Sequence, residues 1–168
     1  GRSQIKRLAL YLKDTSKISK IYCSDLSRAL ESASIIAAEL GLKEIIKPEF
    51  RERHFGKWEG MTFDEINKLY PNDFNQWAQD PLRFSPIDGE STADVYNRVM
   101  PVFNLLIDNH HDQDIALLSH GGVNRVILCS LLCMPLEHIF RIEQNFAALN
   151  IIEFHASYPV IKLLNYTA

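Results

Sequence analysis

The sequence lacks the features that mark several large classes of protein. Its 168 residues hold three cysteines, Cys23, Cys129 and Cys133, with no C-x-x-C pair among them. That scarcity argues against a disulfide framework or a zinc site and for buried thiols in a reducing compartment. No apolar run reaches the ~18 residues of a membrane span, so no membrane partner is expected and the protein reads as cytoplasmic. An excess of one charge is also missing. The net charge of -3 and pI near 6.1 give no footprint for nucleic acid or an anionic lipid surface. There is no internal repeat, no low-complexity stretch and no linker. The chain starts without Met or a signal peptide, and Gly1-Arg2-Ser3-Gln4 leads straight into a helical pattern. It is therefore expected to begin inside a domain.

What is present is ordinary globular composition, 46% apolar and 23% charged, in a length that suits one domain with a hydrophobic core. Ile5, Leu8, Ala9 and Leu12 recur at helical spacing. Residues 20–23 form a short apolar strand ending at Ser24-Asp25, either of which is expected to cap the helix that runs to about Leu40 and stops at Gly41. A short strand is expected over 44–47, closed by Pro48, then a structured loop over 50–60. Thr62 with Glu65 makes a capping-box pattern, and Pro71 separates that helix from a second short one around 74–78. Ser91 and Thr92 open a long helix with Val95, Val99, Val102, Phe103, Leu106 and Ile107 on one face. Residues 114–119 are the strongest strand, and His120-Gly121-Gly122 then turns into a helix reaching Cys133. Two strands over 147–154 and 160–164 close the chain, with a turn near Tyr158-Pro159. Strands alternating with helices imply an α/β fold, a mainly parallel sheet covered on both faces in three α/β/α layers, to which the last two strands are expected to add an antiparallel edge.

Ligands of open parallel sheets bind beyond the carboxyl ends of the strands, where loops meet helix N-termini. Two segments have that form: strand 20–23 delivers Ser24, with Arg28 one turn further on, and strand 114–119 delivers His120. Both suit an anion, and a phosphate monoester in particular. The Arg28 guanidinium matches two phosphate oxygens, His120 donates to a third, and the amide of Gly121 or Gly122 approaches closely for want of a Cβ. Beside a bound dianion the carboxyl of Glu52 is expected to hold its proton, as a general acid requires. Each residue also has a plainer reading. Arg28 by itself is a solvated arginine on an alanine-rich helix, and Glu52 a surface carboxylate beside Arg51 or Arg53. His120 is the strongest of the three, because histidine before two glycines is uncommon in a purely structural turn. His110 and His111 suit a helix end better than a metal, His54 a loop contact, and Gly89-Glu90-Ser91 a turn with a helix cap.

Together these segments resemble the histidine phosphatase superfamily, in its phosphoglycerate mutase-like branch. Gly1-Arg2-Ser3-Gln4 resembles the end of L-T-x-x-G-x-x-Q-A. Tyr22-Cys23-Ser24-Asp25-Leu26-Ser27-Arg28-Ala29 resembles S-S-D-L-x-R-A, with Ser32 in place of the usual Thr. Residues 50–60, FRERHFGKWEG, resemble L-R-E-x-x-F-G-x-W-E-G, residues 89–91 the G-E-S motif, and residues 119–122 S-H-G-G. The resemblance implies a phosphatase acting through a phosphohistidine without metal or cofactor. Arg28, Ser24, His120 and Gly121 would hold the phosphate, with Glu52 as proton donor. The family's nucleophile, a histidine in an Arg-His-Gly motif after the first strand, is absent from residues 1–168. None of the six histidines replaces it, and its strand is expected to be central to the natural sheet. Residues 61–90 would form a helical lid in a single domain spanning 1–168. The compact 60–89 connection favours a phosphatase over a mutase, and residues 134–145 and 150–154 resemble the α-ribazole phosphatases of cobalamin biosynthesis. The expected partner is a small phosphate monoester, with homodimer formation left open. The competing readings are a phosphoglycerate mutase and a catalytically inert phosphate-binding module.

Overall fold

The computed structural model describes residues 1–156 and 158–168. The chain packs as two compact units. The first comprises Gly1–Arg51, Asn104–Gly121 and Glu143–Ala168, and the second Glu52–Phe103 and Gly122–Ile142.

The first unit is built on three parallel strands in the order β2-β1-β3: β1 (Ile18–Cys23), β2 (Glu44–Ile46) and β3 (Asp114–Leu118). Tyr22 pairs with Ile45 on one side and Leu117 on the other, which makes β1 the central strand. Its last three residues, Ile21, Tyr22 and Cys23, are accordingly buried. Helices α1 (Arg2–Thr15) and α2 (Ser27–Leu40) bury the stripe expected from their spacing. Leu8, Ala9 and Leu12 of α1 join Ala33, Ile36 and Ala37 of α2 and Ile21 and Cys23 of β1 in one core cluster. Small alanines on α2 let the two helices approach closely, while Arg2–Glu31 and Lys13–Glu39 ion pairs decorate the exposed rim. Such pairs each contribute little, about 0–1 kcal/mol. Gly41 caps α2 in the left-handed conformation.

The alternation of elements along the chain is the one expected, with three corrections. Neither Ser24 nor Asp25 caps α2; Leu26 occupies that position and makes no side-chain cap bond, because both polar side chains are drawn to partners elsewhere in the unit. Strands β4 (Leu149–Phe154) and β5 (Pro159–Tyr166) form a separate antiparallel pair rather than an edge of the parallel sheet. They pair with each other across two register irregularities near Ile151, and Leu149 packs against the core cluster through its side chain, not through strand pairing. Finally, Cys23 and Cys129 are buried but Cys133 is exposed. It lies just past the end of a helix, at a positive φ of 53°, where the backbone turns outward. All three thiols are free, and burial pushes that of Cys129 up to about 11.

The second unit contains α3 (Phe63–Leu69) and α4 (Pro71–Gln79), and the first part of α5 (Thr92–Asn109). It also holds α6 (Gly121–Leu131) from Gly122 onward, with a 3-10 turn over Leu136–Arg141. The capping box of α3 forms as expected, with the Glu65 amide donating to Thr62 Oγ1 and the Thr62 amide to the Glu65 carboxylate. Pro71 starts α4 at its first turn, where a missing N–H costs nothing. At the head of α5 the Asp94 amide donates to Ser91 Oγ at 3.0 Å, and the Ser91 amide to Asp94 Oδ2 at 2.8 Å. Val95, Val99, Val123 and Val126 make the fully buried interior of this unit.

Candidate active site

The site residues of the first unit follow from the sheet. Because β1 and β3 are adjacent and parallel, their carboxyl ends open on the same side, and the residues just past them meet. Ser24 Oγ and His120 Nε2 lie 2.6 Å apart. Ser24 has no exposed surface and His120 is buried. Two further contacts fix this edge: the Ser24 amide donates to the Leu118 carbonyl, and the Ser119 hydroxyl to the carbonyl of the fully buried Phe50. Arg28 sits in the first turn of α2, exposed. Among the described residues its guanidinium has no hydrogen-bond or ion-pair partner, and its donors remain available. Gly121 is the first residue of α6, so its amide is one of those that a helix leaves without an internal acceptor. Ser24 therefore faces the imidazole rather than the surface from which Arg28 projects.

Asp25 is occupied by Arg51, whose Nε donates to Oδ1 at 2.6 Å and whose Nη2 donates to Oδ2. The guanidinium hydrogen bonds hold the Asp25 carboxyl below the usual carboxylate range and raise Arg51 in return. The exposed pair stiffens the turn between β1 and α2.

Glu52 opens the second unit. Its carboxylate accepts from the Arg53 amide (Oε1, 2.9 Å) and from the Gly122 amide (Oε2, 3.1 Å). A Cβ on Gly122 would come within 2.4 Å of Glu52 Oε1, so any side chain at 122 would push this carboxylate out of its present place. Either glycine amide was expected to be open to an anion; that of Gly122 is already spent on Glu52. The Glu52 carbonyl accepts from Arg98 Nη2 at 3.2 Å, which holds the residue at its main chain as well.

Behind Glu52 lies a charged network of which the sequence marked only Glu90, through the G-E-S segment, and not Arg53 or Arg98. Arg53 is buried, and each of its three nitrogens donates inside the protein: Nε to the Glu90 carbonyl, Nη1 to Thr92 Oγ1 and Nη2 to the Phe84 carbonyl. Burial lowers its pKa, opposed by the nearby Glu90, Asp94 and Glu52 carboxylates. Glu90 takes both Nε and Nη2 of Arg98, at 2.7 and 2.9 Å, and its Oε2 also accepts the His54 amide. Burial alone would push the Glu90 carboxyl up, but the hydrogen bonds of Arg98 and the His54 amide outweigh it and leave the group below the ordinary range. Gly89-Glu90-Ser91 is thus more than a turn: Glu90 ties the loop carrying Glu52 to α5. The glycine at 56 is equally constrained, with φ at 53° and space for no Cβ beside the Ile87 carbonyl. His54 makes a loop contact to the Asp88 carbonyl, and His110 is engaged by Tyr22 and Gln113. Among the described residues no three His, Cys, Asp or Glu side chains gather as a metal-ligand set, and no helix is long and apolar enough to cross a membrane.

Comparison with known proteins decides the family. The model of the histidine phosphatase superfamily (branch 1) matches residues 1–167. The chain belongs to the histidine phosphatase superfamily. Within the superfamily it is 32% identical over 167 residues to phosphoserine phosphatase 1 of Hydrogenobacter thermophilus, covering 99% of this chain and 79% of the relative. It is 36% identical over 127 residues to phosphoglycerate mutase-like protein 4 of Arabidopsis thaliana, covering 74% of this chain and only 55% of that protein. The adenosylcobalamin/alpha-ribazole phosphatase of Escherichia coli is 26% identical, with 98% of this chain and 81% of that one covered. Among solved structures, Bacillus stearothermophilus YhfR superposes with a TM-score of 0.89 at 27% identity, over 100% of this chain and 83% of that one. The expected phosphoglycerate mutase-like α/β fold is therefore the observed one.

Proposed function

We propose that the protein hydrolyses phosphate monoesters through a phosphohistidine intermediate, without metal or cofactor. The observation that carries this reading is the pairing of buried His120 with Ser24 at 2.6 Å just past the carboxyl ends of β3 and β1, with Arg28 one turn further along on α2, exposed and without a side-chain partner among the described residues. A cation with free donors and a fixed imidazole are each suited to the equatorial oxygens of a phosphoryl group. Ser24 positions His120 through its hydroxyl, Arg28 and His120 hold the phosphate, and the Gly121 amide adds a donor. The nucleophile is a histidine of an Arg-His-Gly segment lying outside residues 1–168. Its ring nitrogen attacks phosphorus in line, the ester P–O bond breaks, and Glu52 gives its proton to the leaving oxygen. Water then attacks the phosphohistidine, Glu52 takes back a proton, and inorganic phosphate departs. Two amide donors and the Arg98 contact to its carbonyl fix the position of Glu52, which proton transfer in either direction requires.

The proposed substrate is α-ribazole 5'-phosphate or, in a broad-specificity enzyme, a range of monoesters that includes it. Similarity to the Escherichia coli alpha-ribazole phosphatase over 98% of the chain supports it, as does the 134–145 segment. The test is phosphate release by the full-length gene product without added metal, comparing α-ribazole phosphate, 3-phosphoglycerate and a generic aryl phosphate. Preference for α-ribazole phosphate, lost in Glu52→Ala and His120→Ala, is the expected outcome. Even turnover across the three keeps the mechanism and removes the cobalamin assignment. No release from any of them overturns the phosphatase reading.

A further inference from the structure

We propose that Arg51 is a positioning residue of the phosphate site: by holding Asp25, as Arg2 holds Glu31, it keeps the guanidinium of Arg28 available to the phosphoryl group. The proposal rests on the phosphatase reading and deepens it. These residues all lie in the first unit.

Three observations carry it. The first is the placing of charge around Arg28. Two carboxylates bracket it in the chain, Asp25 three residues before and Glu31 three residues after. Glu31 shares α2 with Arg28, at the spacing where opposite charges meet on a helix. Asp25 lies just before α2, and three residues span at most about 11 Å of chain, within reach of an arginine side chain. Left to itself, Arg28 would have a partner on either side.

The second is that neither carboxylate turns to it. Asp25 takes both Nε of Arg51, at 2.6 Å, and Nη2, one on each oxygen. Glu31 takes Arg2 Nε at 2.5 Å. Arg28 is thereby left with no side-chain partner among the described residues. The two diversions differ in strength. The Arg51–Asp25 contact has two bonds and side chains 54% and 24% exposed, whereas Arg2–Glu31 has one bond and side chains 78% and 48% exposed. Arg51 is also fixed at its main chain. Its amide donates to the Pro48 carbonyl at 3.0 Å, and it follows Phe50, which has no exposed surface.

The third observation is the helix end. Arg28 stands in the first turn of α2, which holds no acidic residue. A cation there opposes the positive end of the helix dipole, so this corner of the unit carries unneutralised positive charge that suits an incoming anion. With Arg51 removed, Asp25 would either take Arg28 for itself or stand as a like charge beside the bound phosphate. Both weaken the anion.

The test uses the full-length gene product and inorganic phosphate, whose binding is read by calorimetry and as inhibition of aryl phosphate turnover. Arg51→Ala is expected to weaken phosphate about 3- to 10-fold and to raise KM by a similar factor, with kcat changed less than about twofold. Arg2→Ala should weaken it about twofold at most. Asp25→Asn breaks the same contact while removing the carboxylate, and is expected to keep phosphate affinity within about twofold of wild type; added to Arg51→Ala it should restore that affinity. Unchanged affinity in Arg51→Ala overturns the proposal. A double variant as weak as Arg51→Ala also overturns it, since Arg51 would then bind the phosphate directly. So does an equal loss in Asp25→Asn alone, which would make the pair a structural brace. If the wild type binds no phosphate, the phosphatase reading falls instead. The role of Arg51 is then judged by the Arg28 Nε–H resonance, identified by its loss in Arg28→Ala. Protection from exchange that appears in Arg51→Ala and vanishes in the double variant upholds the proposal, and no gain in protection overturns it.

Discussion

Arg28 and Arg53 belong to the two units, and they differ in everything but residue type. Arg28 is exposed and among the described residues its guanidinium has no partner; Arg53 is buried and has a partner for each nitrogen. Free donors on a surface are what an anionic ligand needs, because the ligand replaces water and not a protein partner. Donors fully consumed by carbonyls and a hydroxyl make a scaffold, which holds a loop in one shape and has nothing left to offer. An arginine's worth to a site is therefore read from where its hydrogen bonds go, which its place in a motif does not tell.

The contrast can be broken most forcefully at Arg53. Arg53→Ala would leave the Glu90 and Phe84 carbonyls without their donor in the interior, and is expected to cost about 3–5 kcal/mol of stability by urea unfolding. Arg28→Ala should leave that midpoint within about 0.5 kcal/mol. Gly122→Ala comes next. Its methyl group would displace the Glu52 carboxylate, and activity on an alkyl phosphate is expected to fall about 100-fold. An aryl phosphate, whose leaving oxygen needs less help from an acid, should lose much less. Equal losses on both substrates would deny Glu52 its part as proton donor.

Arg28→Ala itself is expected to weaken phosphate or vanadate binding about tenfold or more, measured by competition against turnover. The smallest effect is one of pH. Glu90 has a folded-state pKa below its ordinary 4.5, so its contribution to stability is complete above that value and disappears as the pH falls through the folded one. Glu90→Gln should therefore be less stable than the wild type at neutral pH and show a shallower loss on acidification below about pH 4.5. A wild-type slope in the variant would mean other carboxylates, Asp25 and Asp94 among them, carry the acid sensitivity.

Most of the fold was legible in the sequence because the governing interactions are local. The apolar period of 5–12, the Thr62–Glu65 cap, Pro71 at a helix start and Gly41 at a helix end all act within a few residues of themselves, and each element formed where these placed it. Ser24 is the informative exception. Its hydroxyl was equally suited to capping α2, and the choice was made by His120, 96 residues away. The same holds for the site: His120, Arg28 and Glu52 stand out by motif, but Arg98 does not. Its role depends on Glu90 and the Glu52 carbonyl meeting it on the second turn of α5. Nor does the sequence distinguish Gly121 from Gly122, since only the position of the Glu52 carboxylate decides which amide is spent. The separate β4–β5 pair was likewise hidden, because hydrophobic alternation identifies a strand without naming its neighbour.

The sheet that brings Ser24 to His120 has one further effect, on the order of events as the chain folds. β1 and β3 pair across a long stretch of chain that includes Glu52–Phe103 of the second unit, Tyr22 lying beside Leu117. So long a closure must be completed before its contacts are rewarded, and parallel pairings of this kind form slowly. The packing of α1 on α2 and of α3 on α4 joins elements close in the chain and can form early. The Ser24–His120 bond, which joins residues 96 apart, is expected to be among the last contacts to be made. Recovery of phosphate binding after dilution from denaturant is accordingly expected to lag behind recovery of helical signal, so that the protein acquires its chemistry only when its topology is closed.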